Sequence, residues 1–284
     1  MPRLSDLVVL VTGCSSGIGR ALVRAFDDNG HRTFATARHL ESLDSLSGAR
    51  IERLRLDVTD VASIQTAVAS AVERAGRIDM IVNNAGYILA GPLAELPLDE
   101  FKRQLDTNVT SALALTQAVF PHMARAQSGR IVNIGSVVGL LPTPFAGAYC
   151  ASKSALHMLS DVLRMELAPF GIAVVLAEPA AVRSNIAANA ARGLERYASE
   201  NSHYRAVHSH IVARAGTSQE DPMDADSFAS QLVQAVTRAT PPRVVRLGNG
   251  ARTYAALAQL PRVALDNILS RKFGLDQLRR EKED

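Results

Sequence analysis

VVLVTGCSSGIGRAL, Val8 to Leu22, is the stretch on which the fold turns. A buried-strand run, Leu7 to Thr12, passes without a spacer into three glycines, Gly13, Gly17 and Gly19, and then into a helical segment from Ile18 to Asp28. Bare backbone at a strand-to-helix turn lets amide N–H groups and the positive end of the helix dipole approach an anion. The spacing is GxxxGxG, whereas the commonest dinucleotide fingerprint is GxGxxG. On the turn alone, a tight bend therefore competes with a pyrophosphate cradle formed by Gly13, Ser15, Ser16, Gly17, Ile18 and Gly19.

Outward from this turn, apolar runs of strand length alternate with segments of helical period. Strands are expected at Thr33 to Ala37, Ile51 to Leu56, Asp79 to Val82, Arg130 to Ile134, Ile172 to Ala177 and Arg243 to Leu247. Helices are expected at Val61 to Ala75, Leu98 to Ala126 apart from Pro121, Ala148 to Ala168 and Ala225 to Ala239. That alternation predicts an α/β fold, a Rossmann-type doubly wound parallel sheet of about seven strands with helices on both faces. The 284 residues are read as one domain. Within it, 179–221 forms a substrate-covering loop and 252–284 a C-terminal helical extension, broken at Pro261. Tyr254, Leu257, Leu260, Val263, Leu265, Ile268 and Leu269 make that extension amphipathic; packing on the domain or a partner explains the stripe better than a membrane surface.

Composition narrows the function classes. Hydrophobic residues at 47% and charged ones at 21% exclude disorder as the main state, and a net charge of +3 from scattered positive residues argues against nucleic acid. Cys14 and Cys150 cannot build a disulfide framework, no leader precedes the first strand and no apolar run is long enough for a membrane span, so the chain reads as cytoplasmic. His203, His208 and His210 cluster in an irregular segment without Cys or acidic companions, and no metal site is assigned.

The second strand ends at Ala37 and Arg38, where a cofactor lacking a 2′-phosphate would meet an acidic residue. A guanidinium pairs with that phosphate through two charged hydrogen bonds, so Arg38 favours NADP(H), with NAD(H) as the alternative and a solvated surface arginine as the bland reading. Asp57 and Val58 end the third strand; Asp57 suits the adenine amino group, although Asp is also a frequent helix N-cap and Asp60 competes for that role. In NNAG, the small residues Asn84, Ala85 and Gly86 let backbone pass close to the cofactor, while the Asn83 and Asn84 side chains can tie neighbouring strands.

Tyr149 and Lys153 stand one helical turn apart on one face, and only Lys102, Lys272 and Lys282 share that residue type. Lowering a phenol from about 10 to about 7 takes roughly 4 kcal/mol, within reach of a nearby ammonium and an oxidised nicotinamide in a water-poor cleft. Ser136, at the end of the fifth strand, is placed to donate to a substrate oxygen, and Asn108 to hold a water linking Lys153 to solvent.

Through TGCSSGIG, NNAG, Asn108, Ser136 and Tyr149-x-x-x-Lys153, the chain from about Leu7 to Ser184 resembles the short-chain dehydrogenases/reductases. GSVVGLLPTPFAGAYCASKSAL and ELAPFGIAVVLAEP are most similar to the branch containing 17β-hydroxysteroid dehydrogenases, retinol dehydrogenases and acyl-dihydroxyacetone-phosphate reductases. The resemblance implies Tyr149 as acid/base, Lys153 binding the nicotinamide ribose and lowering the tyrosine pKa, Ser136 orienting substrate and Asn108 completing a proton relay. It further implies cofactor contacts from Pro179, Val182 and Ser184, and a homodimer or homotetramer. Pro179-Ala180 stands where the family usually has Pro-Gly, and the Ala180 methyl is expected to crowd the nicotinamide.

The reading is an NADP(H)-dependent oxidoreductase moving a hydride between nicotinamide and a carbonyl or secondary alcohol of a lipophilic small molecule, of steroid, retinoid or acyl-lipid type. A sugar-nucleotide epimerase or dehydratase is one competing reading, although its usual TGxxGxxG spacing is absent; a non-catalytic NADP-sensing regulator is the other.

Overall fold

Val8 and Leu10 belong to one apolar layer and Val9 and Val11 to another, so the first strand is buried on both faces. This is the signature of a parallel sheet covered by helices on each side. The computed structural model describes residues 4–184, 186 and 190–278. Residues 1–3, positions 185 and 187–189 of the expected loop, and 279–284 of the C-terminal extension lie outside the described residues.

The strands are β1 (Val8–Val11), β2 (Arg32–Ala37), β3 (Ile51–Arg55), β4 (Met80–Asn83), β5 (Gly129–Ile134), β6 (Ile172–Pro179) and β7 (Val244–Leu247). They pair in parallel in the order β3-β2-β1-β4-β5-β6-β7. The order reverses between β1 and β4, and a crevice opens there at the carboxyl ends of the strands. The helices are α1 (Gly17–Asp28), α2 (Val61–Ala75), α3 (Leu98–Leu105), α4 (Ser111–Ala126), α5 (Gly147–Leu167), α6 (His208–Gly216), α7 (Ala225–Val236), α8 (Ala251–Leu257) and α9 (Arg262–Lys272). Leu22 and Phe26 of α1 and Phe228 and Leu232 of α7 cover one sheet face; Ile64 of α2, Leu115 of α4 and Leu163 of α5 cover the other. A third cluster, including Tyr149, Tyr197, Ile211, Leu265 and Phe273, brings α5, α6 and α9 together.

Element boundaries follow the local signals. Asp60 caps α2 by accepting from the Ala62 N–H, and Gly76 ends that helix in the left-handed conformation. Two features depart from expectation. Helix α4 continues through Pro121; both Pro121 and Gln117, whose carbonyl loses its intrahelical donor, are exposed, so solvent can satisfy that carbonyl. A π-helical turn over Asp106–Thr110 separates α3 from α4 and carries Asn108.

The C-terminal stripe also differs from its expectation. The break at Pro261 resets the helical phase, so Leu265 and Leu269 pack inward while Val263, 74% exposed, and Ile268 face solvent. Among the described residues, no helix is long and apolar enough to cross a membrane.

Candidate active site

Gly13 and Gly17 adopt φ of +71° and +54°, conformations that side chains disfavour. A Cβ on Gly13 would stand 2.9 Å from Ala85 Cα, and one on Gly19 only 2.3 Å from the Gly13 carbonyl oxygen. Ser16, at the N-cap of α1, makes no side-chain cap bond, and the first turn holds no acidic residue. The helix end thus keeps its N–H donors and its positive potential for an anion, and the glycine cradle fits a diphosphate.

A cleft of ≈ 850 Å³ runs from this cradle across the carboxyl ends of the strands. Gly13, Ser15, Ser16, Gly17, Ile18 and Gly19 line it with Arg38, Asp57, Val58, Asn84, Ala85, Gly86, Tyr149, Lys153, Pro179 and Ser184. Asn84 Nδ2 donates to the Thr12 carbonyl (2.8 Å) and the Gly13 carbonyl (3.2 Å), and Thr12 Oγ1 accepts from the Asn84 and Ala85 N–H groups. Asn83 Nδ2 donates to Asn133 Oδ1 at 2.8 Å. The asparagines therefore tie β4 to both neighbouring strands, as their sequence context predicts.

At the far end of the cleft, Arg38 forms no ion pair within 4 Å among the described residues. Asp57 Oδ1 accepts from the Thr59 N–H (3.0 Å) and hydroxyl (2.7 Å). Burial would raise the Asp57 carboxyl, but the Thr59 bonds and the Arg38 and Arg55 charges hold it below the usual range.

Four of the expected site residues, Ser136, Asn108, Ala180 and Val182, are not among those that line this cleft. Val182 is buried in the first core cluster, its carbonyl accepting from Gln219. Ala180 donates its N–H to Leu247, extending the pairing of β6 with β7, and packs against the third cluster. Pro179, next to it, does line the cleft. Conversely, Tyr87, Arg103, Thr107 and Arg192 line the cleft with no motif to announce them.

At the near end, Ser136, Tyr149 and Lys153 converge, each at most 7% exposed. Ser136 caps a short 3-10 turn, its Oγ accepting from the Val138 N–H at 3.3 Å and donating to the Pro179 carbonyl at 3.4 Å. Burial pushes the Tyr149 phenol up to about 12, opposed by a hydrogen bond with Ser136 and by the Arg214 charge. Burial brings Lys153 down to about 8. Its Nζ donates to the Ile134 carbonyl at 2.7 Å and lies 5.7 Å from the Tyr149 ring centroid.

With this geometry in view, residues 7–195 match the family model described as short chain dehydrogenase. The chain belongs to the short chain dehydrogenase family. It is 33% identical over 271 residues to a short-chain dehydrogenase/reductase, GME11361, of Pestalotiopsis microspora, covering 94% of each chain. It is 37% identical to an NADPH-dependent 1-acyldihydroxyacetone phosphate reductase of Schizosaccharomyces pombe over 185 residues, 64% of this chain and 62% of that one. A short-chain dehydrogenase from Streptomyces avermitilis has a similar solved structure, with a TM-score of 0.78, 31% identity and 97% of each chain covered.

In this short chain dehydrogenase, Asn108 does not line the cleft. Its Nδ2 donates to the Tyr87 carbonyl and to Ser152 Oγ, both at 3.0 Å, and its Oδ1 accepts from the Tyr87 N–H. With both amide hydrogens committed, the side chain pins the segment after NNAG to α5.

His157, two turns beyond Tyr149 on α5, supports the serine from behind. The Ser136 N–H donates to its Nε2 at 3.4 Å, and its Nδ1 lies 3.8 Å from the buried Glu178 carboxylate, which Arg246 holds by hydrogen bond. Burial, reinforced by the Lys153 charge, lowers His157 to about 4, so the ring is neutral with its proton on Nδ1 facing Glu178. The ring fits because Gly135 and Gly139 flank it; a Cβ on either would come within 2.6 Å.

Proposed function

We propose that this short chain dehydrogenase is an NADP(H)-dependent oxidoreductase that interconverts a ketone or aldehyde and an alcohol on a lipophilic substrate. The observation that carries this is the pair Tyr149 and Lys153 lining a cleft that Arg38 also lines, with Ser136 hydrogen-bonded to the Tyr149 phenol. NADPH dependence in the Schizosaccharomyces pombe relative supports the cofactor assignment. The name of that relative's substrate and the apolar third cluster support a steroid, retinoid or acyl-lipid type of substrate. We propose the whole chain, 1–284, as one functional domain.

The reduced nicotinamide, when bound, supplies the hydride. Tyr149, held protonated by burial, donates a proton to the substrate oxygen. Ser136 Oγ, beside that phenol, turns its one hydrogen from the long bond to the Pro179 carbonyl to the same substrate oxygen as negative charge grows there. Lys153 has spent one of three N–H donors on Ile134, leaving the others for the nicotinamide ribose. Asn108 acts in this scheme as a positioning residue that holds the Tyr87 segment and Ser152 beside Lys153. Met158, Val162 and Met165 form an exposed apolar stripe on α5, and we assign to it the contact of a homodimer or homotetramer.

Following absorbance at the reduced nicotinamide band, with NADPH and NADH in turn and a panel of lipophilic ketones and aldehydes, tests the proposal. Reduction with NADPH preferred is expected; a nucleotide-binding protein inert toward every carbonyl would instead be the sensing regulator.

A further inference from the structure

Arg214 lies in the last turn of α6 and is 5% exposed. Its electrostatic neighbours are Cys150, Tyr254 and Tyr149. Burial holds the Tyr149 phenol and the Cys150 thiol in their neutral forms, so neither supplies a counter-charge. Among the described residues no carboxylate pairs with Arg214 and no acceptor bonds its guanidinium; Nε is enclosed with no partner at all. A guanidinium does not escape burial by losing its proton. A buried charge without acceptors is strongly disfavoured unless an acceptor joins it, and an anion is the strongest such partner.

The contrast within the molecule is Arg130. It is also buried, and the carbonyls of Val236, Arg238 and Ala239 accept its N–H groups. That arginine is a structural clamp, complete in itself. Arg214 is built the other way: a buried cation within electrostatic reach of the reacting phenol, its Nε enclosed without a partner and its terminal nitrogens not so enclosed, where an incoming acceptor can meet them.

We propose that the substrate of this dehydrogenase carries an acidic group, a carboxylate or a phosphate, that pairs with Arg214 while its reacting carbon faces Tyr149. The substrate is then an amphipathic oxo- or hydroxy-compound rather than a neutral lipid, its hydrocarbon part lying against the third apolar cluster. The proposal rests on Tyr149 being the proton donor. A planar fork of N–H donors matches either oxyanion, which is why both remain in the class.

The test compares matched ketones that differ only in charge. Oxodecanoates, their methyl esters and the corresponding oxoalkyl phosphates are reduced with NADPH by the wild type, Arg214→Gln and Arg214→Lys. The wild type is expected to favour an anion over the ester in kcat/KM by about 10- to 100-fold. Arg214→Gln should bring that ratio to about one, and Arg214→Lys should keep part of it. Whichever of carboxylate and phosphate gives the larger ratio identifies the acidic group.

Binding of decanoate, decyl phosphate and decanol to the NADP-loaded protein is measured alongside, so the answer does not depend on turnover. Anion binding tighter than decanol in the wild type and not in Arg214→Gln supports the proposal. Equal treatment of acid and ester or alcohol, or an anion preference that survives in Arg214→Gln, overturns it. Anion discrimination without turnover of any ketone would count against the proposed reduction while leaving Arg214 as an anion site.

Discussion

The main-chain N–H of Ser136 donates to Nε2 of His157 across 3.4 Å, so the serine at the end of β5 is positioned by a side chain of α5. His157 titrates near 4 in the folded chain against 6.5 for an ordinary histidine, chiefly through burial and secondly through the Lys153 charge. Between these values the unfolded chain binds more protons, so stability is full above 6.5 and falls as pH drops toward 4. His157→Gln is expected to lose less stability than wild type between about pH 7 and pH 5, read from urea midpoints. Equal losses in the two proteins would show that this ring is not the acid-sensitive element.

Tyr149→Phe removes the phenolic proton from a buried position without changing the ring volume appreciably. Turnover should fall by about 10²- to 10⁴-fold, with nucleotide affinity retained. Steady-state rates together with fluorescence titration of NADPH check this; unimpaired turnover would refute the acid/base assignment.

Lys153 is lowered by burial from 10.5 to about 8, which means the unfolded chain holds the extra proton between those values. Wild-type stability should accordingly rise as pH climbs from about 8 to about 10, and Lys153→Met should abolish that rise. Above pH 10 the trend reverses, because Tyr149, raised from 10.0 to about 12, keeps its proton longer folded than unfolded. Thermal melts across the alkaline range distinguish the two arms.

Arg38 lines the cleft without an ion-pair partner among the described residues. Arg38→Asp replaces an attraction for the 2′-phosphate with a repulsion, and the NADPH-to-NADH ratio of kcat/KM should drop by about 10- to 100-fold or more. An unchanged ratio would remove Arg38 from the cofactor site.

Gly19→Ala would place a methyl carbon 2.3 Å from the Gly13 carbonyl and 2.5 Å from Asn84 Nδ2, neither of which is the free end of a flexible chain. A loss of about 1–3 kcal/mol in folding stability is expected, together with weakened nucleotide binding. Gly76→Ala, at a site where a Cβ meets nothing, should be destabilised only by its left-handed φ of 75° and should bind nucleotide normally.

Local rules carried the reading where the determining interactions are local. The buried runs of β1 and β4, the glycines of the first turn and the offset between Tyr149 and Lys153 are all patterns over a few residues. Strand and helix periods dictate which side chains share a face, and they do so before any loop is placed. The same logic placed Ser136 at a strand end and the NNAG asparagines between strands.

What the tertiary structure alone decided concerns groups that meet across loops. No motif singles out His157, and the contacts of Ser136 and Glu178 with it, and of Tyr87 with Asn108, arise only when the helices pack on the sheet. The packing of Ala180 against the third cluster follows from the pairing of β6 with β7, which no local pattern announces. Arg214, one arginine among many in the chain, acquires its meaning only because α6 folds over α5 and encloses its charge beside Tyr149. Burial and the electrostatics that follow from it are properties of the assembled layers, and no periodicity along the chain encodes them.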